Sequence, residues 1–238
     1  MYEKRFDGRD FLELRPIEAK VGVIKRADGS AYFRIGNTIA YAAVYGPRQL
    51  IPKAIQNPST GILRCHYNMM PFSGIGERVK PGLSRRSREI SLITEKALMP
   101  VVMLERFPNS VVDVFIEMSQ TDAGSRCAGI TAAALALADA GIPMKDLVTA
   151  VAVGKVDDKF VVDLTYDEEA YKKGPVSDIP MAFIHSTGEL TLLQMDGEIT
   201  KEELLKLVDI AREAAEKIYE IQKKALKDKY KHLGDIND

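Results

Sequence analysis

The sequence predicts an α+β fold: two similar β/α halves, mixed sheets packed with helices, and a long C-terminal helix. Three observations predict it. β-rich runs separated by Gly, Asn and Asp turns fill the N-terminal part, a strand-then-helix succession occurs twice in the middle, and apolar residues at three- and four-residue steps run through the C-terminal segment.

The elements follow in order. "VGVIKR" (21–26) predicts a strand leading into Asp28-Gly29, "AYFRIG" (31–36) a second leading into Asn37-Thr38, and "IAYAAVYGP" (39–47) a third. "ILRCHYNMMPFS" (62–73) predicts a strand entering a loop that holds Pro71, Gly74 and Gly76. "LSRRSREISLITEKAL" (83–98) is a helix with Ser84 or Ser87 as its N-cap. Strand "VVDVFIEMSQ" (111–120) precedes a helix of small apolar residues from about Cys127 to Ala140, stopped by Gly141 and Pro143. Two hairpins come next: 147–165 turning at Asp157-Asp158, and 179–197 turning at Ser186-Thr187-Gly188. The polar stretch "YDEEAYKKGPVSD" (166–178) between them reads as a loop. Thr200 and Glu203 form a capping-box pair opening a helix whose Leu204, Leu207, Ala211, Ala214, Ile218, Ile221 and Ala225 share one face, a stripe best explained by core packing. No linker-like stretch divides the chain, so one compact domain over 1–238 is expected, with the tail after about residue 230 frayed.

Bulk properties bound the function. With 46% hydrophobic and 28% charged residues, 238 residues make a globular chain with a sizeable core. A net charge of −1 provides no overall field, so any nucleic-acid contact must come from local basic clusters. Cys65 and Cys127 make neither a disulfide framework nor a zinc site, and His66, His185 and His232 do not cluster. The N-terminus "MYEKRFDGRD" lacks an apolar signal region and no run reaches membrane-spanning length, so a cytoplasmic protein with no membrane partner is expected.

Two helix starts share an anomaly. Arg85, Arg86 and Arg88 crowd the first turn of one helix, and Arg126 that of another, although cations there oppose the helix dipole. A bound anion would relieve both. Helix N-termini offer free N–H groups, Gly124 admits close approach to the backbone, Ser125 adds a hydroxyl, and arginine presents a planar fork to phosphate oxygens. The plainer alternative is that these arginines are solvated or paired with Glu77 and Glu89. Asp163, Asp167, Glu168, Glu169 and Asp178 surround the polar loop, most of them as surface charges. Asp178 stands apart because it immediately precedes an apolar strand, where a carboxylate could coordinate Mg²⁺ or protonate a leaving oxygen. Local chemistry alone yields a phosphate-binding α+β protein.

Several segments together resemble the RNase PH family of phosphorolytic ribonucleases: "RFDGRDFLELRP", "GNTIAYAAVYGP", "SRRSREISLI" and "QTDAGSRCAGITAAALALADAGIP". The resemblance spans almost the whole chain, and "DLVTAVAVGKV" with "LLQMDG" tilts it toward the catalytic subunits of exosome-type rings. It implies an RNase PH-like fold and phosphate-dependent 3′-to-5′ degradation of RNA that releases nucleoside diphosphates, with inorganic phosphate as co-substrate and Mg²⁺ or Mn²⁺ as cofactor. In reverse, the same chemistry adds 3′ tails. It assigns Arg86, Ser125 and Arg126 to the attacking phosphate, Gly124 to the shape of the pocket, Arg85 to the RNA backbone, and Asp178 to proton donation or metal holding. Arg64 and His66 fall in the segment resembling the ring's RNA constriction. One departure stands out: the family's second aspartate before Asp178 is missing, with Glu168 or Glu169 nearest its place and Glu169 taken as the second metal carboxylate. The implied partners are single-stranded RNA, a related non-catalytic subunit alternating in a hexameric ring, and RNA-binding cap subunits. The rivals are a homohexameric enzyme trimming tRNA 3′ ends and a non-catalytic RNA-binding ring subunit.

Overall fold

The structure, a computed structural model, describes residues 2–75 and 78–234, with side chains through residue 231. Five strands form the first sheet: β1 (Ile17–Val21), β2 (Gly29–Ile35), β3 (Thr38–Gln49), β4 (Ile62–Met69) and β5 (Ser110–Gln120), in the order β1-β2-β3-β5-β4. The first three form an antiparallel meander, whereas β4 and β5 run parallel. A parallel pair needs a crossover, and helix α1 (Arg85–Leu98) supplies it. After β5 comes α2 (Ser125–Asp139). The second sheet has the order β7-β6-β8-β9, built from β6 (Val148–Val156), β7 (Lys159–Val162), β8 (Val176–Ile184) and β9 (Leu190–Leu193). The one-turn helix α3 (Tyr166–Glu169) links β7 to β8, and α4 (Lys201–Gly234) closes the described chain.

Alternation along the first sheet sets its two faces. On β4, Leu63, Cys65 and Tyr67 are buried while Arg64 and His66 stand on the other side, and on β5 Val114 and Ile116 alternate with Asp113 and Phe115. Helix α2 packs between the sheets, touching β2, β3 and β5 on one side and β6 and β8 on the other. That position explains its composition: a helix enclosed all round is apolar all round, and Ala132, Ala133, Ala134, Leu135, Ala136 and Leu137 are all fully buried. Helix α4 lays its stripe on β6, with Leu207, Ala211, Ala214 and Ile218 buried. Residues of both sheets and of α1, α2 and α4 belong to one contiguous buried cluster.

Three sequence expectations need correction. The first strand lies at 17–21 rather than 21–26, because Gly22 adopts a left-handed φ of 70° and turns the chain, its N–H donating to the Ser30 carbonyl. The polar loop contains α3, and β8 begins inside it at Val176, so Asp178 is a strand residue paired with Gly154 of β6. Contact there is close: a Cβ on Gly154 would collide with the Ser177 carbonyl oxygen. The last helix is described through Gly234, and a 2.5 Å Lys229–Asp139 ion pair joins it to α2. Asp163, one of five acids read mostly as surface charges, is buried in ion pairs with Arg9 and Arg15. Among the described residues no helix is long and apolar enough to cross a membrane.

Candidate active site

Two helix N-termini meet at the site. Ser84 is the N-cap of α1: its Oγ accepts from the Ser87 N–H at 2.9 Å while the Ser87 Oγ accepts from the Ser84 N–H at 2.7 Å. The box leaves Arg85, Arg86 and Arg88 in a first turn with no acidic residue. Helix α2 starts differently. Its N-cap Gly124 has φ 61° directly after Ala123 at φ 57°, and no side chain caps the helix. Its first N–H groups are left for another acceptor. Glycine is favoured at Gly124 because the left-handed region penalises a Cβ.

Arg86, Gly124, Ser125, Arg126, Glu169 and Asp178 line one cleft of about 420 Å³, joined by Glu89, Gln194 and Asp196. A second cavity of about 360 Å³, lined by Tyr67, Lys80, Tyr166 and others, shares Arg86, Ser125 and Glu169 with it. Arg86 Nη2 donates to Ser125 Oγ at 3.4 Å. Arg126 Nη1 donates to Gln194 Oε1, and Gln194 Nε2 donates to Glu89 Oε1 at 3.2 Å. Among the described residues neither Arg86 nor Arg126 is in an ion pair, with Glu89 or with any other carboxylate. Glu77 lies outside the described residues, as do Gly76 and the side chain of His232.

The acids divide by environment. Burial pushes the Asp178 carboxyl up to about 6, opposed by Arg126 and assisted by Asp196, and its buried Oδ1 has no hydrogen-bond partner. The backbones of Asp178 and Asp196 exchange two 2.9 Å hydrogen bonds, which brings Asp196 to the cleft from the far side. Glu169 presents its surface to the cleft, whose walls still desolvate it. That desolvation and the negative Asp178 raise it to about 7 against the pull of Arg86, Arg126 and Arg15. Glu168 is unavailable. Fully buried, it accepts from Arg5 Nε and Nη2 at 2.8 Å each and from the Tyr2 hydroxyl at 2.5 Å, so its pKa is lowered. Of the two, only Glu169 lines the cleft.

The remaining candidates lie apart from this cleft. Arg85 is exposed at the start of α1 and is not among the cleft-lining residues. Arg64 and His66 stand on the outer face of the first sheet. Arg64 is bidentate to Asp113 at 2.7 and 3.0 Å, and His66 stacks on Phe115 with centroids 4.8 Å apart. Asp196 and Gln194 are site residues that sequence reasoning missed, since they sit in what reads as the end of a hairpin. No group of three or more metal-ligating side chains occurs among the described residues. Mg²⁺ needs no such cage, because it takes one or two carboxylates and completes its shell with water and substrate phosphate. Asp178, with its unpartnered Oδ1, and Glu169 fit that demand.

Comparison with known proteins bears on this geometry. The 3′ exoribonuclease family, RNase PH, domain 1, matches residues 13–143, and domain 2 of the same family matches residues 146–214. The exosome complex component Rrp41 of Thermococcus gammatolerans is 54% identical over 227 residues, covering 95% of this chain and 90% of that protein. Its counterpart in Methanopyrus kandleri is 48% identical over 226 residues, covering 95% and 93% respectively. Among solved structures, rice Rrp46 superposes with a TM-score of 0.83 at 26% identity, covering 94% of this chain and all of that one. A chain of the Archaeoglobus fulgidus exosome shares the fold at a TM-score of 0.77 and 23% identity, covering 92% of each chain.

Proposed function

The chain belongs to the RNase PH family of 3′ exoribonucleases, and from that premise we propose that it degrades single-stranded RNA by phosphorolysis as the catalytic subunit of an exosome-type ring. One observation carries the reading. Two guanidiniums outside any ion pair among the described residues converge with a helix N-terminus that no described side chain caps, beside a buried carboxyl oxygen with no partner among the described residues.

Inorganic phosphate sits between Arg86 and Arg126, accepting from Ser125 Oγ and the first N–H groups of α2. Already anionic at neutral pH, it needs charge neutralisation and in-line placement more than deprotonation. One of its oxygens forms a bond to the phosphorus of the terminal linkage, and the bond from that phosphorus to the 3′-oxygen of the preceding nucleotide breaks. The products are a nucleoside diphosphate and RNA shortened by one residue. Asp178, with a carboxyl poised near 6, supplies the proton that the leaving 3′-oxygen takes up. Glu169 would hold Mg²⁺ or Mn²⁺, with Asp178 as a second ligand where it is ionised rather than proton-donating, and the ion when bound would add positive charge against the reacting phosphates. Arg85, exposed at the start of α1, would contact the RNA backbone, and Arg64 and His66 would meet the incoming strand.

The high identity to archaeal Rrp41 proteins supports the ring reading over a homohexameric tRNA-trimming enzyme. In it, this subunit alternates with a related non-catalytic one under RNA-binding caps, in the cytoplasm. The test incubates 5′-labelled poly(A) and Mg²⁺ with and without phosphate. Nucleoside diphosphates formed only with phosphate are expected; monophosphates formed without it would make the protein a hydrolase.

A further inference from the structure

Arg15 lies against the anion-binding turn, its Nη2 3.6 Å from where a Cβ on Gly124 would stand. It precedes β1, yet it is only 5% exposed. Its Nε and Nη2 donate to the Asp163 carboxylate at 2.8 and 2.6 Å, and its own backbone N–H donates to the same group at 2.9 Å. The remaining arm, Nη1, donates to the Asp122 carbonyl at 2.5 Å. Asp163 belongs to the other half of the molecule. It follows β7 directly, at a left-handed φ of 55°, and its N–H donates to the Ala152 carbonyl of β6 at 2.7 Å.

Asp122 opens the turn that presents the anion-binding groups. The Thr38 hydroxyl lies 3.1 Å from the Asp122 carbonyl, 2.7 Å from the Ala123 carbonyl and 2.9 Å from the Asp122 N–H. The Asp122 carboxylate accepts from the Tyr166 N–H at 3.0 Å, at the first residue of the short helix that ends in Glu169. The next two residues, Ala123 and Gly124, are both left-handed. Such a pair is intrinsically unfavourable and persists where the surroundings over-determine it.

We propose that Arg15 and Asp163 are positioning residues: their buried pair clamps the Asp122 carbonyl, and this holds the Ala123-Gly124 turn so that Ser125 and Arg126 face the anion in register with the acids of the second half. The proposal rests on the phosphorolytic reading above. Only a planar fork can engage a carboxylate with one edge and a carbonyl with its remaining arm, so lysine at position 15 satisfies one partner and releases the other.

The experiment titrates inorganic phosphate into the full chain by calorimetry and follows phosphorolysis by the chain mixed with its partner subunit as phosphate is varied, for wild type, Arg15→Lys, Asp163→Asn and Thr38→Val. Asparagine tolerates the left-handed backbone of position 163, and Thr38→Val keeps shape while removing the hydroxyl, so it serves if the other variants fail to fold. A phosphate Kd and KM raised about tenfold to a hundredfold, as for a misplaced binding group, with RNA affinity held, supports the proposal. Folded variants with lowered Tm but wild-type phosphate Kd and KM would make the pair merely structural and overturn it. Wild-type protein that binds and uses no phosphate even when mixed with its partner subunit would instead overturn the phosphorolytic reading itself.

Discussion

Arg86 and Ser125 join the two helix starts of the cleft: the guanidinium Nη2 of one donates to the hydroxyl of the other at 3.4 Å. That contact is long for a hydrogen bond. An anion placed between them would take up donors that are weakly engaged in its absence. Arg126 differs, because Gln194 already holds it.

Arg86→Ala and Arg126→Ala should each raise the phosphate KM, by roughly tenfold to a hundredfold, since each removes charge-assisted donors worth about 1.5–3 kcal/mol. Because both act on one ligand, the double variant should fall short of the product of the two effects. Steady-state kinetics with phosphate varied at saturating RNA check this. A KM unmoved in Arg126→Ala would take phosphate out of the cleft.

Asp178→Asn should lower turnover by about 10²–10⁴-fold, the usual cost of losing a general acid, with RNA affinity close to wild type. Single-turnover rates on labelled poly(A), alongside filter binding, separate the two quantities. Mn²⁺ titration followed by electron paramagnetic resonance should show weaker metal binding in Asp178→Asn and in Glu169→Gln. Near-normal turnover in Asp178→Asn would move the proton to Glu169 or Asp196.

The raised carboxyls predict a pH dependence of stability. Asp178 moves from 3.8 to about 6 and Glu169 from 4.5 to about 7. A raised carboxyl favours folding while it is protonated. Its contribution is full below the unfolded pKa and is lost as pH rises through the folded one. Without phosphate or metal, Asp178→Asn should match wild type near pH 4 and exceed it by at most about 3 kcal/mol at pH 8, since each pH unit between the unfolded and folded pKa is worth about 1.36 kcal/mol. Urea melts at several pH values in a chelator-containing buffer measure the difference. A difference that stayed flat between pH 4 and 8 would mean that Asp178 is not desolvated.

Much of this site could be read from residue order because its anion-binding half is local. A cation in a helix's first turn is anomalous whatever the tertiary structure, so Arg86, Ser125 and Arg126 stand out. The acid half depends on contacts distant in sequence. Asp196 reaches the cleft only through its backbone bridge to Asp178, and Asp163 meets an arginine 148 residues away. No periodicity encodes either contact. The one-turn helix α3 is too short to show a helical period, which is why its residues read as loop. Only the burial of Glu168 by Arg5 and Tyr2 separates it from Glu169.

The chain by itself should be inactive or feeble, and should gain activity in a closed ring with a related, non-catalytic partner. Its net charge of −1 gives it no strong attraction for RNA, while each phosphate contact contributes only a modest, salt-sensitive increment. The basic residues assigned to the strand are few: Arg64, on the outer sheet face, is already neutralised by Asp113, and Arg85 offers one exposed charge at the start of α1. A basic groove for several nucleotides therefore requires a second surface. The architecture provides places to recruit one. Strands β1 and β4 end the first sheet and β7 and β9 end the second, and such edges are safer paired or covered. Closed rings satisfy edges and exposed faces through repeated interfaces. The measurement is the solution mass and phosphorolytic activity of the chain alone, and again after mixing with the partner subunit. A high-mass, hexamer-sized complex with a large gain in specific activity is expected. Full specific activity in a monomer would end the ring proposal, and an active homohexamer would transfer the chain to the tRNA-trimming branch of the family.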